Sequence, residues 1–376
     1  MILLVGPSPE RSGGIATYHR LLGGALRDER PDIRWEFFPT DKSGARAGTA
    51  LHARLRDGAR MAASLRARLV AAAPELVHIC CGSGWGFREA AVLVRLAQNS
   101  GAAVLLHLHA AAFAEFWERN PLDRGLVRSV LGTVDAIGVL SDSFGDFYEG
   151  LGAPRDRIHV IRNGVLLPAM DLPEAVPASE DAPLRLLVLG SVEPRKGIEE
   201  LLTAVERLRR VRGACVVVDI AGPPATTEAK TEEWRVRGAA LGVRFLGRLP
   251  ADEIPARLAA CDGLLLPSRR EGLPFALLEA MAASRPVLAA KSGAIDELLA
   301  GGAGTLVGPE SPGELAAALV QWVDDPELRL DLAAAGWHRV RSGYTTSHSL
   351  QTTVDAWTAA LGRDPAAPPT TAAARA

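Results

Sequence analysis

Apolar runs recur along the chain, each followed by a polar or glycine-rich stretch and then a longer segment with apolar positions at helical spacing. Residues 1–6, 34–38, 76–80, 103–108, 136–140 and 158–161 predict strands. These runs are apolar at consecutive rather than alternate positions, as strands are when helices cover both faces of a parallel sheet. Helical spacing predicts helices over 15–28, 49–72 and about 86–100. The opening pattern restarts at 184–190, and further strands are expected at 215–221, 243–246, 263–266, 287–289 and 304–307. Helices are expected between them, at 197–211, 227–241, 251–260, 275–283, 314–324 and 326–341, with a last one near 347–361. Two such series predict an α/β protein of two Rossmann-like, doubly wound domains facing a central cleft.

The boundaries follow from composition. Residues 1–166 read as an N-terminal domain, and 167–183, rich in Pro, Ala, Glu and Asp, as a linker. A second domain is expected over 184–345. A helix at 346–362 is expected to return to the first domain, and 363–376, heavy in Ala, Pro and Thr, is expected to be a disordered tail. The 376 residues suffice for two ordinary domains.

Charge and cysteines narrow the classes. A formal charge of -2 argues against a general nucleic-acid binder. No apolar run is long enough to span a membrane, and residues 1–6 lack a basic flank, so no signal peptide is expected. Cys80, Cys81, Cys215 and Cys261 form no C-x-x-C pair and read as small core residues of a cytoplasmic protein. No D-x-D, H-E-x-x-H or clustered Cys/His indicates a metal.

The chemistry is concentrated in a few loops. Glu271 precedes a helix for which Pro274 suits the first position, and Glu279 lies within that helix. Two carboxylates about 10 Å apart, with helix N-terminal amides between them, suit a ligand with phosphate in the middle and hydroxyls at both ends. An ordinary βα turn with one acid near the helix dipole would look the same. Arg195 and Lys196 precede another helix, where two cations can clamp a diphosphate. Gly13 and Gly14 follow the first strand, either as a phosphate loop or as a tight turn. His107 and His109 end a strand, where an imidazole can donate to a sugar hydroxyl or serve the core. Phe113, Phe116 and Trp117 make 110–121 an aromatic loop, read as a lid, an acceptor wall or local core. Helix 49–72 carries Leu51, Leu55, Gly58, Ala62, Leu65 and Leu69 on one stripe. Its arginines are Arg54, Arg56, Arg60, Arg66 and Arg68, against the single acid Asp57. That is either a solvated surface or a face for anionic membrane lipid.

Taken in order, Gly13-Gly14, His109, Asn163-Gly164-Val165, Arg195-Lys196-Gly197 and the E-x7-E spacing of Glu271 and Glu279 resemble the retaining GT-B glycosyltransferases of group 1 (family 4). The resemblance covers roughly residues 1–362 and is strongest over 184–307. It implies the GT-B fold and metal-independent, retaining transfer of a sugar from a nucleoside-diphosphate-sugar to an acceptor hydroxyl, with no cofactor. Such transfer would serve glycolipid, polysaccharide or other glycoconjugate synthesis.

It further implies that Glu279 binds the ribose, that Glu271 contacts the donor sugar, and that Arg195 and Lys196 hold the diphosphate. Gly13, Gly14 and the segment Gly272, Leu273, Pro274, Phe275, Ala276 would complete the donor site, with His109 rather than His107 near the sugar. His109, Glu271, Arg195 and Lys196 are thus the expected catalytic groups. Two departures stand out: Leu273-Pro274 replaces the usual aromatic-glycine pair, and Ser284 stands where glycine is common. A lipid-linked acceptor and a peripheral contact with the inner membrane face are expected from the basic helix. The alternatives are a nucleotide-sugar-binding protein without activity, or an epimerase or phosphorylase on the same fold.

Overall fold

The computed structural model describes residues 1–41, 51–168 and 182–367. Contacts divide the chain into two compact units. Met1–Arg162 with the segment from Thr346 onward forms one, and Asn163–Thr345 forms the other. The division falls at Arg162 rather than after residue 166. Of the expected linker, residues 169–181 lie outside the described residues, as does 368–376 of the expected tail.

The first unit runs β1 (Ile2–Gly6), α1 (Gly14–Glu29), β2 (Trp35–Pro39), α2 (Leu51–Ala72), β3 (Leu76–Cys81) and α3 (Trp85–Asn99). It continues with β4 (Ala103–Leu108), α4 (Phe113–Arg119), α5 (Arg124–Thr133), β5 (Ala136–Val139), α6 (Asp142–Gly150) and β6 (Ile158–Val160). The second unit runs β7 (Leu184–Leu189), α7 (Ile198–Arg212), β8 (Val216–Ala221), α8 (Glu228–Ala240), β9 (Val243–Gly247) and α9 (Ile254–Ala260). After these come β10 (Gly263–Leu266), α10 (Phe275–Ala282), β11 (Val287–Ala290), α11 (Ile295–Leu298) and β12 (Thr305–Val307). Helices α12 (Pro312–Asp324) and α13 (Pro326–Gly343) close the second unit, and α14 (Thr346–Leu361) belongs to the first.

Each unit is built on a six-stranded parallel sheet, ordered β2-β1-β3-β4-β5-β6 in the first and β12-β11-β10-β7-β8-β9 in the second. Every position of the inner strands β1, β5, β10 and β11 is buried, which is why those runs are continuously apolar, whereas the edge strands β2 and β6 are only partly covered. Each order reverses direction once, between β1 and β3 and between β7 and β10. At such a switch point neighbouring crossovers lie on opposite faces and leave a crevice beyond the strands' carboxyl ends.

Local signals account for several boundaries. Ser141 and Asp325 cap α6 and α13 by accepting from Phe144 N and Leu328 N at 3.2 and 2.8 Å. Pro326 then occupies the first turn of α13, where its missing N–H costs nothing. Helix α14 fastens to α1 through the hydroxyls of Tyr18 and Thr353, 2.9 Å apart.

Some expectations need correction. The aromatic loop at 110–121 contains a helix, α4. Phe113 and Phe116 are buried at 1% and 6% exposure, so they are core rather than a lid. Helices α5 and α6 were not expected. Residues 363–367 are tied down, with Arg363 bonded to Glu75 and Ala367 N to Asp364 O at 3.0 Å. Among the described residues no helix is long and apolar enough to cross a membrane.

Candidate functional site

In the second unit the candidate residues flank the switch point. The chain leaves β7 and makes one 3-10 turn, Pro194–Lys196, so Arg195 and Lys196 lie in a separate turn ahead of α7. Gly197 follows with φ 70°, and a Cβ there would lie 2.0 Å from the Pro267 carbonyl oxygen. Only glycine permits that approach, and it brings Lys196 against the loop beyond β10.

There Lys196 Nζ donates to Glu271 Oε1 at 2.5 Å, with side chains 14% and 11% exposed. Arg195 donates to Glu193 Oε1 at 2.6 Å and to the Arg270 carbonyl at 3.2 Å. Its own carbonyl accepts from Arg269 N at 2.9 Å, so the two loops are joined through backbone as well as charge. The guanidinium of Arg269 in turn bonds the buried carboxylate of Glu200 at 2.6 Å.

A third loop supports Glu271 from behind. Glu271 N donates to Ser292 Oγ at 2.7 Å, and Ala294 N donates to Gly272 O at 3.0 Å. Between them Gly293, at φ 57°, packs so closely that a Cβ would meet Glu271 O at 2.1 Å. Asn163 is buried and donates its Nδ2 to Leu273 O at 2.6 Å. Glu271, Gly272 and Leu273 are therefore held individually.

Pro274 is the cap of α10 rather than its first residue, and contributes neither an N–H nor a side-chain acceptor. The amides of Phe275 and Ala276 follow at a helix end with no acid in its first turn, an arrangement that favours an anion. Glu279 lies half-buried on the next turn. Beyond Ala283, the C-cap of this helix, Ser284 has φ 52°, a position that favours glycine, and its buried hydroxyl has no partner.

In the first unit, Gly13 (φ 130°) caps α1 and Gly14 opens it, both exposed beyond the carboxyl end of β1. His109 follows β4, donating its backbone N–H to Cys81 O at 2.9 Å, and its Nε2 is shielded without a partner. His107 lies wholly within the sheet. Its Nδ1 is 3.3 Å from His78 Nε2, and His78 Nδ1 is 3.3 Å from the indole Nε1 of Trp357.

An indole can only donate, so His78 Nδ1 accepts, His78 Nε2 carries the proton, and His107 Nδ1 accepts in turn. Burial, followed by the neighbouring imidazoles, pushes His78, His107 and His109 well below the usual histidine range. Burial also lowers His19 to about 4, partly opposed by its bond to Pro7 O. His78, Cys80 and His107 bring ligand atoms within 4.8 Å of one another. A cation there would need the lone pair of His78 Nε2, leaving Nδ1–H pointing at the Trp357 N–H. The donor set therefore does not fit a metal.

The structure thus joins Arg195, Lys196, Glu271, Gly272 and Leu273 in one contact network of the second unit. It places Gly13, Gly14 and His109 on the carboxyl edge of the first sheet. Sequence reasoning missed Glu193, Ser292 and Gly293. It had Asn163 only as part of a motif, without a task.

Two family descriptions cover the chain in succession. Residues 13–164 match the glycosyl transferase 4-like domain, and residues 174–339 match the glycosyl transferases group 1. The chain belongs to the group 1 glycosyltransferases. This group 1 member is 26% identical over 279 residues to the glycogen synthase of Mycobacterium tuberculosis, a match spanning 72% of the chain and 65% of that enzyme.

It is also 26% identical over 363 residues to a GDP-mannose-dependent alpha-(1-6)-phosphatidylinositol monomannoside mannosyltransferase of the same organism, covering 89% of the chain and 92% of the relative. Among solved structures, sucrose-phosphate synthase from Thermosynechococcus elongatus superposes with a TM-score of 0.74 at 18% identity, covering 95% and 98% of the two chains. Anabaena HepE in complex with UDP gives 0.70 at 18%, covering 95% and 99%. These likenesses establish the GT-B fold for the group 1 chain.

Proposed function

We propose that the protein transfers a sugar from a nucleoside-diphosphate-sugar to an acceptor hydroxyl, retaining anomeric configuration and without a metal. The observation that carries this is the contact of Lys196 with Glu271 at the switch point of the second sheet, beside the uncapped start of α10. Breaking the sugar–phosphate bond leaves negative charge on the diphosphate. Lys196, Arg195 and the amides of Phe275 and Ala276 are the groups that would receive it. Glu279 is assigned to the ribose, Glu271 to the donor sugar, and Gly13, Gly14 and His109 to the donor from the first unit.

A carboxylate nucleophile is not proposed, because Glu271 is assigned to the hydroxyls of the donor sugar. The leaving phosphate instead deprotonates the acceptor on the same face of the sugar. The named activity of the mannosyltransferase relative supports a glycolipid or lipid-linked acceptor, with α2 against an anionic membrane surface. The four unpaired cysteines agree with a cytoplasmic setting. Thermal-shift screening against UDP-, GDP- and ADP-sugars, then product analysis with the stabilising donor, tests the reading. One donor should stabilise the protein and be turned over with its nucleoside diphosphate released. Stabilisation without turnover would leave a binding protein.

A further inference from the structure

The apolar stripe of α2 is covered over only part of its length. Leu65 and Leu69 are sealed in the core at 0% and 3% exposure, whereas Leu55, nearly three turns earlier, is 57% exposed. Val92 of α3 is 52% exposed beside it. A cavity of about 310 Å³ lies here, lined by Leu55, Met61, Ala62, Trp85, Val92 and Leu93. Gly58, Ala59 and Ala62 also line it, so the α2 wall is built largely of small side chains.

The edge of this slot is cationic. Arg54 and Arg88 approach the Trp85 ring at 5.8 and 6.0 Å from its centroid. Two acids offset part of that charge: Asp123 bonds Arg88 at 2.6 Å, and Glu89 accepts from the Trp85 indole at 2.5 Å. Arg56, Arg60 and Arg66 are exposed on the same helix and have no acidic partner among the described residues.

We propose that the α2–α3 slot seats one acyl chain of an anionic phospholipid at a bilayer surface, with the lipid phosphate held by Arg54 and the outward arginines of α2. The volume is at the small end of ligand pockets, suited to a single hydrocarbon chain. A peptide would bring backbone N–H and C=O groups that need partners, and an apolar lining supplies few. Arginine beside an indole is the usual company of a headgroup at the interface. This rests on the membrane contact proposed for α2 but shares no residue with the donor site, so it can fail while sugar transfer stands.

The test uses the full chain with vesicles of phosphatidylcholine, with or without phosphatidylglycerol carrying brominated acyl chains. The protein should sediment only with phosphatidylglycerol, and bromine should quench its fluorescence less in Trp85→Phe. Leu55→Asp with Val92→Asp, both at exposed positions, should weaken sedimentation at least tenfold. Donor turnover with a water-soluble acceptor should be unchanged in that variant. Failure to sediment, or sedimentation that does not require phosphatidylglycerol, would overturn the proposal. So would full binding by the double variant, and so would quenching indifferent to Trp85→Phe, which would mean contact through headgroup charge alone.

Discussion

Lys196 and Glu271, to which the proposed function gives the diphosphate and the donor sugar, are each other's partner, Nζ to Oε1 at 2.5 Å. A diphosphate must therefore compete with Glu271 for the ammonium. Glu271→Gln should bind nucleoside diphosphate about tenfold more tightly, the scale of one charge-assisted hydrogen bond released, yet transfer sugar more slowly. Calorimetric titration beside a turnover assay checks both halves. Unchanged affinity in this variant would mean that the pair does not guard the site.

Close backbone approach makes Gly197 and Gly293 the structural keystones of the site loops. Alanine at either would drive a Cβ to 2.0 or 2.1 Å from a carbonyl oxygen and hold φ in the left-handed region. Each substitution should cost about 2 kcal/mol or more in urea unfolding and depress donor binding with it. A variant of ordinary stability would show that these loops can shift.

Ser284 supplies the opposite case. It already bears the left-handed conformation at φ 52° with a buried, unpartnered hydroxyl. Ser284→Gly should stabilise the protein by about 1 kcal/mol, seen as a melting temperature higher by a few degrees, with turnover unaltered. A lower melting temperature would assign the hydroxyl a task that its surroundings do not show.

The histidine cluster predicts acid sensitivity. His19, His78, His107 and His109 have folded pKa values below the unfolded value, so the unfolded chain binds more protons once the pH drops below about 6.5. Their contribution is complete above that pH and is lost as the pH falls towards the folded values. For His19, at about 4, this amounts to roughly 3 kcal/mol by pH 4. Urea midpoints should fall steadily from pH 7 to pH 5, and His19→Gln should flatten the slope. A midpoint independent of pH over that range would contradict the buried, neutral cluster.

The inner parallel strands were legible because burial on both faces leaves an uninterrupted apolar run, as in Ile2–Gly6. Helices α5 and α6 were harder to see because they are short, 10 and 9 residues, so that in α6 the helical spacing of Phe144, Phe147 and Tyr148 is all the pattern there is, and glycines stand beside it. Loops carrying charge beside glycine, as at Arg195-Lys196-Gly197, announced themselves. Their supports did not. Ser292 and Gly293 act on Glu271 from a segment distant in sequence, and an ordinary Ser-Gly pair gives no sign of it. Of the stripe on α2, Leu65 and Leu69 are buried, but periodicity could not show that Leu55 is left open to solvent.

If the second unit's switch point holds a diphosphate, calorimetric titration of UDP, GDP and ADP into the wild-type protein and Lys196→Ala will show it. One nucleoside diphosphate should bind the wild-type chain, with affinity reduced at least tenfold in Lys196→Ala and turnover of the matching sugar donor reduced about a hundredfold. Equal affinity in the two proteins, or no binding of any of the three, would mean that Lys196 and its loop do not hold a diphosphate.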